Sequence, residues 1–512
     1  MAKTLIKGRH VIARAVDRHH VEQYDDAAIL VEGGLVRAIG PVAELEAAHP
    51  DARVLGNGRQ VVMPGFVNGH HHVGLTPVQL GSPDMPLELW FVTRLVSRQV
   101  DLYLDTLYSA FEMIASGVTT VQHIHGWLPG TLADVEKGAE QVLKAYEDVG
   151  MRVSYSFATR DQNRLVYMDD QEFVRSLPDE LQGPMAAHFA RFQTGLEDCI
   201  ALFQNLHGRH HNKERLKIQL APANLHWCSD KALERLAETS EAYDAPLHMH
   251  LLETAYQKAY AHKRGGCSAV EYIDRFGLLS PRMTLGHGVW LSERDIERVA
   301  ETGTHICHNC SSNFRLRSGV GALNVWEKKG VNVAIGMDEA GINDDRDMLQ
   351  EMRMVLRAHR TPGMDDDVPT SAQVLRMATC GGAATTPFGS SIGTLEVGKA
   401  ADLILVDWDK LAFPYLDPLM PVLDAVIQRA KTDGVDLVMC AGEVVYADGT
   451  FTKIDRDGAL AQLQADLRRA LSDEEVQRRG LAKALLPHVK QFYEGYFDAS
   501  THVPFYQPSS RV

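Results

Sequence analysis

Cysteine is scarce in this chain: seven residues in 512, odd in number and scattered. That excludes a disulfide framework and suits reduced thiols, so a cytoplasmic protein is expected. Basic residues are outnumbered, with 52 Lys and Arg against 67 Asp and Glu and a formal net charge of −15. Nucleic acid and anionic membrane surfaces both demand a basic footprint, so neither is expected as a partner. No run reaches the roughly 18 apolar residues of a membrane span. The opening stretch MAKTLIKGRHVIARAV has no apolar core followed by a small-residue cleavage site, so no leader is expected. Internal repeats, low-complexity tracts and long blocks of like charge are also lacking. What remains, 45% hydrophobic and 23% charged, is the composition of a globular protein. Its length suits one large domain and a smaller one.

Short β-branched runs alternate with longer helical patterns from about residue 60 to residue 385, the βαβ signature of a parallel sheet. Eight strands are predicted, at 61–69, 118–124, 151–159, 216–223, 245–252, 283–290, 304–309 and 331–337. Two intervening helices begin at Ser229 and Ser292, both suited to N-caps. Eight strands joined by helices predict an α/β fold with a closed (β/α)8 TIM barrel over 61–387, whose active groups stand at the C-terminal strand ends. The flanks read differently. AAILVEGGLVRAIG near the start, and IGTLEVGKAADLILVD and DLVMCAGEVVYADG near the end, are short strands with Gly turns. Residues 1–60 and 388–454 are therefore expected to pair into one small β-sandwich. Residues 455–512 read as a helical C-terminal extension, packed on the barrel or on a neighbouring subunit.

The chemistry-bearing residues fall at predicted strand ends. In PGFVNGHHH, His70 and His72 lie at i and i+2 and share one strand face, while His71 points the other way. HMHLLE ends the fifth strand and offers His250, with Glu253 just past it. LGHG places His287 at the end of the sixth strand, and AIGMDEA places Asp338 at the end of the eighth. Singly, each has a structural explanation: a satisfied core histidine, or a helix-capping aspartate. Jointly, imidazoles and carboxylates end strands one, five, six and eight, which converge in a barrel on a site suited to a metal. Cys307 and Cys310 form one C-x-x-C. With no second pair to complete a zinc knuckle, they read as two thiols near the end of a buried strand.

At these residues the chain resembles the amidohydrolase superfamily. PGFVNGHHH is similar to its PG-[LF]-[VI]-N-x-H-x-H opening. HNCSSNFRLRSG (308–319) resembles its HNPxSNxxLxSG segment, and IGTLEVGKAADLILVD resembles GSLExGKxADLxxxD. The resemblance covers about residues 5–450. It is nearest to the branch of cytosine, guanine and S-adenosylhomocysteine deaminases and triazine hydrolases. It implies that His70, His72, His250 and Asp338 hold one divalent metal ion, zinc or iron. It further implies that Glu253 shuttles protons and that His287 polarises the water or the substrate. The fourth predicted strand ends in APANLHW without the lysine of two-metal members, so one metal is expected. Relatives are commonly homo-oligomers, and the same is expected here.

The chain also departs from the pattern. Where the family often has TDG-x-x-SNN, this sequence reads MDEAGINDD, with Met337 and Glu339 in place of Thr and Gly. Asp338 is kept, so the departure concerns the substrate and not the metal. The loop 73–91 is largely apolar, and Trp90, Leu89 and Met85 either face a flat substrate or pack beneath the loop. His226, His308 and Asn309 are candidates for the substrate pocket, whereas His123 and His125 are assigned to packing around the ligands. The expected reaction is hydrolytic removal of ammonia or an amine from a heterocyclic or amidine-like small molecule. Cleavage of an amide, urea or carbamate bond, or of a triazine-like C–Cl bond, is the alternative. A non-catalytic binding barrel would have lost a ligand or Glu253, and neither is lost.

Overall fold

The computed structural model describes residues 3–126, 128–507, 509 and 510. Positions 508, 511 and 512 of the expected C-terminal extension therefore lie outside the described residues. The fold is α/β, with parallel strands alternating with helices through the middle of the chain. Strands form at Phe66–His71, Val118–His125, Arg152–Thr159, Leu247–Leu251, Met283–His287, His305–His308 and Val333–Ile335. The predicted fourth strand is present as two pieces, Leu216–Ile218 and Ala221–Pro222. Val118–His125 is buried along its whole length. Burial on both faces explains why these strands read as continuous apolar runs and not as alternating ones.

Pairing among them is parallel throughout and forms two sheets. One runs from Phe66–His71 to Ala221–Pro222, the other from Leu247–Leu251 to Val333–Ile335. Parallel bridges join the two sheets at both ends: Leu220 to Leu247 and Asn224 to His250 on one side, His71 to Asp338 on the other. Helix starts follow the local chemistry. The Ser229 hydroxyl accepts from the amide of Ala232, and Ser292 forms a capping box with Asp295.

The predicted first strand, 61–69, needs correction, because it is two strands serving two sheets. Gln60–Pro64 pairs with Lys3–Ala15 and Leu403–Asp407, and only Phe66–His71 joins the parallel set. The break falls at Gly65, where a Cβ would lie 2.3 Å from the Thr119 side chain. Both ends of the chain share one nine-stranded sheet. Its order is Thr450–Phe451, Glu443–Ala447, Val435–Cys440, Leu403–Asp407, Gln60–Pro64, Lys3–Ala15, Val21–Glu32 and Leu35–Pro41, with Arg53–Leu55 on the edge of Lys3–Ala15. A buried ion pair, Arg152 to Asp402 at 2.7 Å, ties this sheet to the parallel strands.

The extension forms helices Arg456–Leu467 and Asp473–Tyr493. The second packs on this same chain: Leu481, Leu485 and Val489, one turn apart, are buried against Val92 and Leu95. None of the described helices is long and apolar enough to cross a membrane.

Candidate metal centre

The strand ends bring His70, His72, His250 and Asp338 together. His70 Nε2 and His72 Nε2 are 2.9 Å apart, and His72 Nε2 and His250 Nε2 are 3.1 Å apart. Asp338 Oδ1 lies 3.2 Å from His72 Nε2 and 3.6 Å from His70 Nε2. The far ring nitrogens settle the protonation. His72 Nδ1 donates to the carbonyl of Ile124 at 2.6 Å, and His250 Nδ1 donates to that of Ala223 at 2.8 Å. A carbonyl only accepts, so each neutral ring keeps its proton at Nδ1 and turns a lone pair inward. Lone pairs 3.1 Å apart repel unless a cation lies between them. A tetrahedral ion with nitrogens at about 2.0–2.1 Å has ligand edges of roughly 3.3 Å, so the donor set fits a divalent metal. Ring orientation by carbonyl acceptors is the usual support of metal-binding histidines.

Electrostatics divide the three rings. Burial and the neighbouring imidazoles push His70 and His250 well below the usual imidazole value, so both rings stay neutral. Burial would also lower His72, but the hydrogen bond and charge of Asp338 outweigh it and raise this ring. Burial alone would raise Asp338. The hydrogen bond and charge of His72, helped by His287 and Ser312, hold its carboxyl well below the usual range. Ser312 Oγ donates to Asp338 Oδ2 at 2.5 Å.

Backbone geometry aims these groups. Asp338 and His287 have φ of +54° and +71°, a region that non-glycine residues seldom occupy and that clusters at functional sites. The Asn68 side chain accepts from the amide of Met337 at 3.0 Å, and Asp338 N donates to His70 O at 2.8 Å. The asparagine of the N-x-H-x-H motif thus stitches the first strand to the last. A Cβ at Gly336 would sit 2.3 Å from Asn309 Oδ1 and 2.5 Å from His70 Cβ, so only glycine fits there.

Glu253 and His287 complete the polar wall. His287 Nε2 is 3.8 Å from both Glu253 Oε2 and Asp338 Oδ2. Its Nδ1 meets Asn313 Oδ1 at 2.9 Å, which places the proton there and leaves Nε2 as the acceptor. Asn309 Nδ2 donates to that Nε2 at 3.2 Å. Burial, then the charge of Asp338, raises the Glu253 carboxyl well above its ordinary value. A cavity of about 120 Å³ opens beside these groups, walled by Leu87, Trp90, Phe91, Trp227 and Leu316 with Arg94, Arg160 and Glu339.

Other candidates fall elsewhere. Met85 packs beside Trp90 and Leu316. Leu89 lies against the C-terminal helix. His226 stacks under Tyr167, 4.2 Å between centroids, and Trp227 forms the cavity wall at that point. His308 pairs with His359 at 2.8 Å. His123 and His125 bond the hydroxyls of Tyr146 and Tyr155, both at 2.9 Å. His71 turns outward to Ser109 Oγ and the Asp338 carbonyl, each 3.2 Å away. Sequence reasoning passed over His248, whose Nε2 lies 2.8 Å from His70 Nδ1, although it sits two residues before His250 on the same strand face. Arg94, Arg160 and Trp227 were also missed, since Arg94 and Trp227 stand in single short turns and Arg160 just past a strand, where no periodicity marks a residue.

Comparison with known proteins places this geometry in a family. The model of the amidohydrolase family matches residues 61–445, and that of a bacterial imidazolonepropionase-like composite domain matches residues 27–52. The chain belongs to the amidohydrolase family and is an enzyme of its C–N hydrolase class. It is 30% identical over 475 residues to a 5-methylthioadenosine/S-adenosylhomocysteine deaminase of Nitratidesulfovibrio vulgaris, covering 92% of this chain and 98% of that one. It is 28% identical to a 5'-deoxyadenosine deaminase of Methanosarcina mazei, covering 91% and 97%. A zinc-bound adenosine deaminase structure from Xanthomonas campestris aligns with TM-score 0.77 at 25% identity, covering 91% and 97%.

Proposed function

We propose that this protein is a zinc-dependent aminohydrolase that releases ammonia from an amino-substituted heterocycle. The carrying observation is the convergence of the Nε2 atoms of three imidazoles and Asp338 Oδ1 beside a buried Glu253. The deaminase relatives support the same reading. His70, His72, His250 and Asp338 would hold the metal, which supplies the Lewis acidity that makes water nucleophilic near neutral pH. Asp338 turns Oδ1 toward the imidazoles and Oδ2 toward His287 and Ser312, so it can take a proton from the attacking water. Glu253, protonated by virtue of its burial, delivers a proton to the departing nitrogen, because an amide anion leaves poorly. His287 Nε2 faces both carboxyl groups and orients the water between them.

The three bridges between the parallel sheets support a closed (β/α)8 barrel as the scaffold. The shared terminal sheet supports a composite domain built from both chain ends, with the boundary moved to Gly65.

Ammonia release by zinc-loaded protein from aminopurines, aminopyrimidines and amino-triazines tests the activity. Glu253→Gln should keep the metal and lower kcat by about 10²–10⁴-fold. Amine release from amides or ureas, with no ammonia from any ring, would move the enzyme to the amide-hydrolase alternative. Unchanged kcat in Glu253→Gln would remove the proton-delivery role.

A further inference from the structure

Arg346 is completely buried, although its guanidinium lies outside the cavity beside the imidazole cluster. Burying a charge is costly, and an apolar side chain of similar length would fill the space without that cost. What an apolar side chain lacks is donors. Arg346 Nη2 donates to two backbone carbonyls, Val73 O at 3.1 Å and Glu339 O at 2.8 Å. Val73 directly follows His72, and Glu339 directly follows Asp338. One nitrogen therefore ties together the chain just past two of the four proposed ligands.

These two segments meet at the edge where the first parallel strand adjoins the last. His71 bridges to Asp338, and Asp338 N donates to His70 O at 2.8 Å. The strand Phe66–His71 ends at that bridge, and Arg346 carries the link one step further with a side chain. A second link, from Thr76 Oγ1 to Asp344 Oδ2 at 2.8 Å, joins the same loops further from the ligands.

Arg346 is itself anchored. Its Nη1 donates to Glu112 Oε2 at 3.0 Å, which also balances its charge. Glu112 lies on helix Leu102–Ala115. About two turns earlier on that helix, the Asp105 carboxylate accepts from the amides of Gly74 at 2.9 Å and Leu75 at 2.7 Å. The loop past His72 is thus gripped by its amides through Asp105 and by a carbonyl through Arg346. Asp105 reaches only this loop, whereas Arg346 reaches both. Fixed outer partners of this kind hold ligands in place and raise metal affinity. We propose, on the reading that His70, His72, His250 and Asp338 hold one ion, that Arg346 is a positioning residue: it fixes His72 against Asp338 and so sets how tightly the centre holds its metal.

The zinc Kd of the full chain, read by competition with a chelator, tests it. Arg346→Met should weaken zinc binding by about 10–100-fold, the range for groups that orient ligands. It should also shift the visible spectrum of the cobalt-substituted protein. Arg346→Lys keeps a donor and should fall in between; it carries the comparison alone if the methionine variant does not fold. Ile29→Ala is the control, a buried change in the terminal sheet. It should lower stability as well, yet leave zinc Kd and the cobalt spectrum as in the wild type. Metal-free protein gives an independent reading by hydrogen exchange. The Asp338 amide should exchange about 10-fold faster in Arg346→Met, as expected for one lost hydrogen bond to a charged group. If the wild type holds no zinc, the metal-centre reading falls and this exchange alone decides the clamp. Zinc Kd and cobalt spectrum unchanged in the Arg346 variants would overturn the positioning role. So would an equal loss of zinc affinity in Ile29→Ala, or an unaltered exchange rate at Asp338.

Discussion

Two groups of buried histidines stand in this molecule at nearly the same spacing. In the first, the facing nitrogens of His70, His72 and His250 are 2.9 and 3.1 Å apart. In the second, His308 Nε2 and His359 Nε2 are 2.8 Å apart, with Cys310 beside them. The outer partners differ. His72 and His250 send their Nδ1 protons to carbonyls, and a carboxylate joins them. The Nδ1 atoms of His308 and His359 have no partner among the described residues, and the nearby Glu351 is taken up by Ser311. One proton shared between the two Nε2 atoms accounts for the second pair, whereas the first gathers a third imidazole and a carboxylate and so suits a divalent cation. Spacing alone does not make a metal site; the groups behind the rings do.

The contrast breaks most visibly through metal content. Asp338→Ala and His250→Ala should each take the bound metal from one ion per chain to near none and abolish turnover, as elemental analysis and an ammonia assay would read. A second equivalent of tightly held metal in the wild type would undo the distinction. A smaller effect is expected at the other pair. His308→Gln should leave metal content unchanged and activity within about 3-fold. It should cost stability of about 1–3 kcal/mol in chemical unfolding, the range for a buried polar group losing its partner. Loss of metal in this variant would assign His308 to a metal site after all. The smallest effect concerns pH. Burial pushes the Glu351 carboxyl from 4.5 up to about 7. Between these values the folded chain binds more protons than the unfolded one, so its share of stability is present below pH 4.5 and declines as pH rises toward 7. Glu351→Gln should flatten that part of the stability profile, and an unaltered slope would place the titration elsewhere.

The residues of the proposed ligand set stood out in the sequence because they end predicted strands; that they hold one metal came from the family resemblance. Period two puts His70 and His72 on one strand face, and His250 and Asp338 were noted as residues at the ends of their strands. The same rule marks His248, which went unremarked for want of any sign of what its ring would touch. The strand 61–69 read as one because both halves are apolar; its division at Gly65 depends on Thr119, a tertiary neighbour. For Trp90 the sequence left two readings open, and the structure gives it both, a cavity wall and a packing partner for Leu316. Arg94 was illegible because the carbonyls after it are held by Arg478 and Arg479, 383 positions along the chain. Side chains in such short turns inherit their direction from distant supports.

The parallel bridge from His71 to Asp338 has a kinetic meaning. It joins residues 267 positions apart, so its closure carries a larger loop-entropy cost than the pairing of neighbouring strands and is expected late. Two of the four expected ligands, His70 and Asp338, stand on opposite sides of that seam. A chain still emerging from synthesis, or one whose first strand has peeled away, therefore offers the ion half a site. With the proposed ligand set, metal uptake would be a late event that reports the joining of the two sheets, and a bound ion would resist their parting.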